Sequence, residues 1–229
     1  MSTLDAIAVV WFAVAWAGYS AFVDRSRFGK RSLTAEMNVH RQTWMRVMAA
    51  RDLRMIDTAI MTGLQQGTAF FASASLIAIG GGLSLFNAGD IVAGLAESLP
   101  FGIEVTPLQW ELKVVALTLI FIYAFFKFAW SYRLFNYTSI LIGATPMTGK
   151  GAPGETEAIV ARAAAMSVVA GRHFNRGMRS LFFALALLGW FVSAWAFMAA
   201  TAWVLFVVSR RQFASDSLAA VTGTPNPPG

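Results

Sequence analysis

A lysine stands where the chain is most apolar. Lys127 lies in AFFKFAWSYRLFNY, residues 124–137, among Phe125, Phe126, Phe128 and Trp130. A charge in such a run must reach water, find a partner, line a polar path or give up its proton. Lys127 precedes Arg133 by six residues, about 9 Å along a helix, and a lysine snorkels over much of that distance. The Cα–Cβ bonds of a helix tilt toward its N-terminus, away from Arg133, which favours an inward-facing side chain. Tyr123 and Ser131, at i−4 and i+4, share its face and stand in position to hydrogen-bond it. The middles of the apolar segments hold no Asp or Glu, so Asp57 is the nearest plausible counter-ion. Three environments fit Lys127: a snorkelled boundary residue, an internal residue tied to Asp57 or to Gln65 and Gln66, or the lining of an ion path.

A second polar group lies on the segment that follows Asp57. Thr58, Thr62, Gln65, Gln66 and Ser73 fall within about a quarter-turn of one another at 100° per residue. The opposite side carries Gly63, Gly67, Ala74, Ala78 and Gly81, and Gly63-x-x-x-Gly67 is a spacing that lets two helix backbones approach closely in lipid. One face is therefore expected to pack against a neighbour and the other to hydrogen-bond, between helices or into a polar cavity. A conducting path would be lined by Thr62, Gln65, Gln66, Tyr123, Lys127 and Ser131.

Catalytic chemistry finds little material. The chain has no cysteine, which removes disulfides, thiolate metal ligands and cysteine nucleophiles. Of the two histidines, His40 stands four residues after Glu36, and His173 could join them as a third ligand of an open metal site; a single spaced pair is a weak signal. No serine or threonine has the partners of a triad. GKGAPG, residues 149–154, lacks the Gly-x-x-x-x-Gly-Lys-Ser/Thr spacing of a phosphate loop. The reading carries no cofactor and no metal.

Arginine forms two dense groups: Arg41, Arg46, Arg51 and Arg54, and Arg172, Arg176 and Arg179. Basic and aromatic residues interleave around Trp44 and Phe174, as in nucleic-acid binders, but membrane orientation accounts for the same charges. Anionic lipid headgroups attract each cation near the surface by about 1 kcal/mol, so lipid contact is the expected role. In an oligomer around an axis, the same residues would form a vestibule that concentrates anions.

These residues need positioning elements, and the composition says which kind. The 229 residues are 57% hydrophobic and 13% charged, against about 25% charged in soluble domains. Mean hydropathy is +0.58. About 20 apolar residues in a helix cross a bilayer, and four segments qualify: roughly 4–23, 58–86, 112–142 and 180–208. The N-terminal run lacks a basic start and is too long for a signal peptide, so it reads as a retained helix. The net charge is +6 and is unevenly placed. Residues 24–57 carry eight basic residues and 143–179 carry five, whereas 87–111 carry none and four acidic ones. The positive-inside rule puts the first two segments in the cytoplasm and, with four spans, both termini outside. Arg210 and Arg211 fall on the wrong side of that scheme. Met37, Trp44, Met48 and Met55 approximate one helical stripe, as do Ile159, Ala163, Met166 and Ala170. Two cytoplasmic helices, about 34–57 and 155–172, are expected to extend the bundle and pack together; the alternative is that each lies on lipid. The expected architecture is all-α: an antiparallel four-helix transmembrane bundle within a single domain, 1–208, and a flexible tail, 209–229.

Three stretches add a resemblance. NVHRQTWMRVMAARDLRMIDTAIMTGLQQGTAFFASASL, RLFNYTSILIGATP and AGRHFNRGMRSLFFALALLGWF resemble the domain of unknown function 599 family, bacterial membrane proteins with plant relatives. The markers are Asn38, Arg41 and Trp44, the run 133–136, and the run 173–177. The resemblance covers about residues 5–208. It implies a four-span membrane protein, no known activity and no site residues. Three classes of function remain: a non-catalytic inner-membrane protein acting through helix-mediated assembly, with itself or as an accessory to another membrane protein; an ion channel or transporter; and a metal-dependent membrane enzyme using Glu36, His40 and His173.

Overall fold

A computed structural model describes residues 2–26, 28–86, 88, 106–152 and 154–223, and among these all regular structure is helical. The helices are α1 (Thr3–Arg25), α2 (Leu33–Ala49), α3 (Met55–Phe86), α4 (Pro107–Ala144), α5 (Glu155–Val192), α6 (Ala194–Phe213) and α7 (Asp216–Thr222), with a single 3-10 turn at Phe28–Arg31. The acidic 87–111 connection lies mostly outside the described residues.

Local chemistry sets the helix starts. Ser2 and Asp5 form a reciprocal capping box on α1, and Ser32 caps α2. Thr106 caps α4 with Pro107 in its first turn, where the missing proline N–H costs nothing. The GKGAPG breaker separates α4 from α5 as expected, with Gly149 and Gly154 both at positive φ. Three helices are long and apolar enough to cross a membrane: α1, α3 and α4.

Two expectations about helix continuity need correction. The segment 34–57 is not one helix, because the chain leaves helical geometry between α2 and α3. Arg54 turns there to bond the carbonyls of Ile142, Thr145 and Pro146 at the end of α4. The segment 180–208 is not one rod either. It breaks at Ser193, whose backbone is extended and whose hydroxyl caps α6 through the Ala196 N–H. Upstream there is no break at all, since α5 runs unbroken from the expected cytoplasmic helix into the apolar segment.

Beyond Ser193 the chain doubles back. Trp190 stacks on Phe197 at 5.4 Å, and Arg211 lies over the Phe182 ring at 5.8 Å, so α5 and α6 form an antiparallel hairpin. Helix α1 runs alongside α6, with Phe12 beside Phe197 and the Tyr19 hydroxyl donating to the Val208 carbonyl at 3.0 Å. At one end of the bundle, Asp5 accepts from the Trp190 indole at 2.9 Å and Lys113 lies over the same ring. At the other, Gln212 reaches Thr34 of α2 at 2.7 Å. The start of α1 and the end of α6 therefore lie at opposite ends, which departs from the expectation that both termini share a side. The tail is helical through Thr222; residues 224–229 lie outside the described residues.

The core forms two clusters. One joins α1, α4, α5 and α6 around Phe12, Phe183, Trp190 and Phe197. The other joins α2, α3, α4 and α5 around Met45, Met48, Phe135 and Ala163. The two extension helices do pack together, α2 against α5. On α2 the buried methionines are Met45 and Met48, whereas Met37 and Met55 of the expected stripe are exposed. On α5, Ala163 and Ala170 are buried as expected.

Candidate functional site: a polar junction at the arginine-rich end

The arginine-rich end of the bundle gathers residues from six helices, and most of its charges are tied to groups within the chain. Asp57, in the first turn of α3, is fully buried. Its Oδ1 accepts from the Trp44 indole at 2.7 Å and from Arg51 at 2.8 Å, while its Oδ2 is buried without a partner. The expected pairing of Asp57 with Lys127 is thus replaced by a local one across the α2–α3 break. Helix N-termini favour carboxylates, which suits Asp57 to this position. Next to it, Arg54 caps α4 by filling carbonyls that a helix C-terminus leaves open.

On the other side, Asp24 at the end of α1 holds two arginines of α5, Arg176 at 2.8 Å and Arg179 at 3.1 Å. Asn175 donates to Thr34, which also accepts from Gln212, so α2, α5 and α6 meet at one hydroxyl. Arg41 lies flat over the α5 backbone at Gly171, where a Cβ would collide with the guanidinium. Its one side-chain bond goes to Asn38 at 2.9 Å, and burial pushes its proton affinity down. Gly177 does the same for an aromatic ring: a Cβ there would stand 2.7 Å from Phe128. Phe128 in turn packs with Phe71 and Phe174.

A model of the protein family described as protein of unknown function, DUF599, matches residues 7–217. The chain belongs to this family. No curated protein and no solved structure matches it. Several residues that carry the DUF599 resemblance meet another helix: Arg41, bonded to Asn38, on Gly171, Trp44 on Asp57, Asn136 on Gln65, and Asn175, Arg176 and Gly177 on Thr34, Asp24 and Phe128, whereas Arg133 bonds Tyr137 on its own helix. In this DUF599 chain the former bind helix to helix. Sequence reasoning named them but missed Asp24 and Thr34, which have no local motif and lie more than a hundred positions from their partners on α5.

The other expected site residues do not form one path. Gln65 donates to Asn136 at 2.7 Å and Ser139 at 3.1 Å, between α3 and α4. Ser131 is fully buried and donates to the Ala170 carbonyl of α5. Lys127 points back along α4, its Nζ 4.8 Å from the Tyr123 ring centroid, on the side of Trp16 in α1. Thr62 and Gln66 are exposed on α3. A Cβ placed at Gly63, Gly67 or Gly81 would meet nothing within 4 Å, so no described neighbour within the chain packs on them. Among the described residues no three His, Cys, Asp or Glu side chains converge as metal ligands. His40 is exposed. Arg46 borders an apolar groove between α2 and α5, with Arg172 lining a separate polar cleft beside Asp24.

Proposed function

We propose that this chain is a multi-pass protein of the bacterial cytoplasmic membrane that works without catalysis, by assembling through the free face of α3. The observation that carries the proposal is the state of that helix. It packs on α4, while Gly63 and Gly67 meet nothing and Gln66, about 60° round the helix from Gly63 at the edge between the two faces, is exposed. In hydrocarbon an amide without partners is costly, and small residues permit the close helix contact that would bury it. A second copy of the chain presents the same groups and can satisfy Gln66 with its own mate across a two-fold axis.

We read the arrangement in the bilayer from helix lengths and charge placement. Asp5 and Asp24 stand 19 residues apart on α1, about 28 Å, close to the thickness of a hydrocarbon core. Beyond the three helices long and apolar enough to span, we count the apolar arms of the α5–α6 hairpin as two further crossings, five in all. The N-terminus then lies outside and the C-terminus in the cytoplasm, and Arg210 and Arg211 join the other arginines on the inner side, as the positive-inside rule requires. A C-terminal reporter active only in the cytoplasm is expected to be active; silence there, with activity after Phe86, would overturn this orientation.

The absence of cysteine makes the assembly test direct. Gln66→Cys, oxidised in native membranes, should give a disulfide-linked dimer, and Val10→Cys on the exposed face of α1 should not. Equal crosslinking at both positions, or none at 63, 66 or 67, rules the α3 interface out.

A further inference from the structure

A groove of about 400 Å³ opens between α1 and α4, floored by α5 and α6. Its walls are Phe12, Trp16, Leu119, Tyr123, Leu187 and Trp190, nearly all of them apolar. It runs from Ala116 to Tyr123 on α4, about 10 Å of helix. Tyr123 closes its inner end, held edge-on by Trp16 at 5.4 Å. On the face of that same ring sits the Lys127 ammonium.

Lys127 has no carboxylate partner among the described residues. Its neighbour Phe128 packs on Phe174 and Gly177 of α5, which sets Arg176 at the same level of the bundle. Arg176 shares its one carboxylate, Asp24, with Arg179, so this corner holds more positive charge than its acids neutralise. An apolar slot long enough for an acyl segment thus ends at a lysine without a carboxylate among the described residues, while Arg176 nearby is held by Asp24.

We infer that the groove between α1 and α4 binds one acidic phospholipid, its acyl chain along Trp16 and Tyr123 and its phosphate at Lys127. The inference rests on the membrane-spanning reading and is independent of assembly through α3. It gives the half-buried lysine a role. An anion at Lys127 removes the cost of a charge in an apolar run, and the cation gives the groove its selectivity for acidic over zwitterionic lipid.

The test uses the full chain, reconstituted with equal parts of phosphatidylglycerol and phosphatidylcholine, extracted in detergent and weighed by native mass spectrometry. The wild type should retain one phospholipid per chain and prefer phosphatidylglycerol by about fivefold, the factor for one interfacial cation. Lys127→Gln should abolish the preference. Ala13→Phe, which fills the groove without changing charge, should reduce retention of both lipids. Arg133→Gln, whose guanidinium lies over Trp130 and Tyr137, should change neither. Absence of a retained phospholipid, or equal effects of Lys127→Gln and Arg133→Gln, overturns the inference and leaves the membrane reading standing. A chain that stays monodisperse in buffer without detergent overturns both.

Discussion

The ion pair of Arg51 and Asp57 makes an asymmetric prediction. The Asp57 side chain is fully buried, whereas that of Arg51 is 37% exposed. Removing the cation and removing the anion are therefore different experiments. Arg51→Met leaves a buried carboxylate with the Trp44 indole as its one remaining partner, a situation that costs about 3–5 kcal/mol; the surviving Trp44 bond places the loss at the lower end of that range. Asp57→Asn keeps an acceptor for Trp44 and strands only Arg51, which can turn to water, so its cost should be about 1 kcal/mol. The double variant Arg51→Met/Asp57→Asn removes the buried charge along with its partner and should be more stable than Arg51→Met alone, by about 1–2 kcal/mol. For a chain of this size, 1 kcal/mol moves Tm by about 2–4 °C. Thermal unfolding in one detergent should thus rank the variants: Asp57→Asn mildest, Arg51→Met lowest by roughly 6–12 °C, and the double variant between them. If Arg51→Met is the milder single change, or if the two losses simply add, the buried-charge account of this junction is wrong.

Two further outcomes follow from the same end of the bundle. Gly177→Ala puts a Cβ 2.7 Å from the Phe128 ring, and with Phe128 fully buried between Phe71 and Phe174 the overpacking should cost about 1–3 kcal/mol; unfolding that matches wild type would mean the ring has room to move. His173, below the apolar half of α5, is held below the usual imidazole range by burial and then by the charges of Lys127, Arg176 and Arg172. Its folded state favours the neutral ring, so its contribution to stability is complete above about pH 6.5 and is lost as pH falls below that value; comparing wild type with His173→Gln across pH 5 to 8 should show that slope in the wild type alone.

Much of this arrangement is legible in the sequence, and the failures have physical causes. The apolar lengths of α1, α3 and α4 announce themselves, because a bilayer needs a minimum run and tolerates few charges. The GKGAPG break is equally plain, since glycine and proline crowd into it and two of its glycines adopt positive φ. The hairpin at Ser193 is not, because its one glycine, Gly189, lies four residues before the break, where a Cβ would press on the Ala196 backbone, and serine occurs within helices as well as at their starts. One trace of it is present: Arg210 and Arg211 sit on the wrong side of a four-span scheme, a misfit that the proposed extra crossing removes. The tilt of Cα–Cβ bonds correctly turns Lys127 away from Arg133, toward Tyr123. Its expected partner Asp57 is misjudged, because the nearer cation Arg51 becomes available only when the helix breaks between them.

The arginine groups carry the larger lesson about charge in this chain. Their number and sign are what the positive-inside rule reads, and that rule treats them as interchangeable. In the folded chain they are not. Arg54 closes the end of α4, Arg51 neutralises a buried carboxylate, and Arg176 and Arg179 clamp α1 to α5 through Asp24. Arg41 lays its guanidinium on the backbone at Gly171. An arginine at such a junction does what a lysine cannot, because a planar fork bonds several acceptors at fixed angles. Lys127, a flexible point charge without a carboxylate among the described residues, is the cation that stands where an apolar groove meets the basic end, which suits it to an acidic ligand from outside the chain.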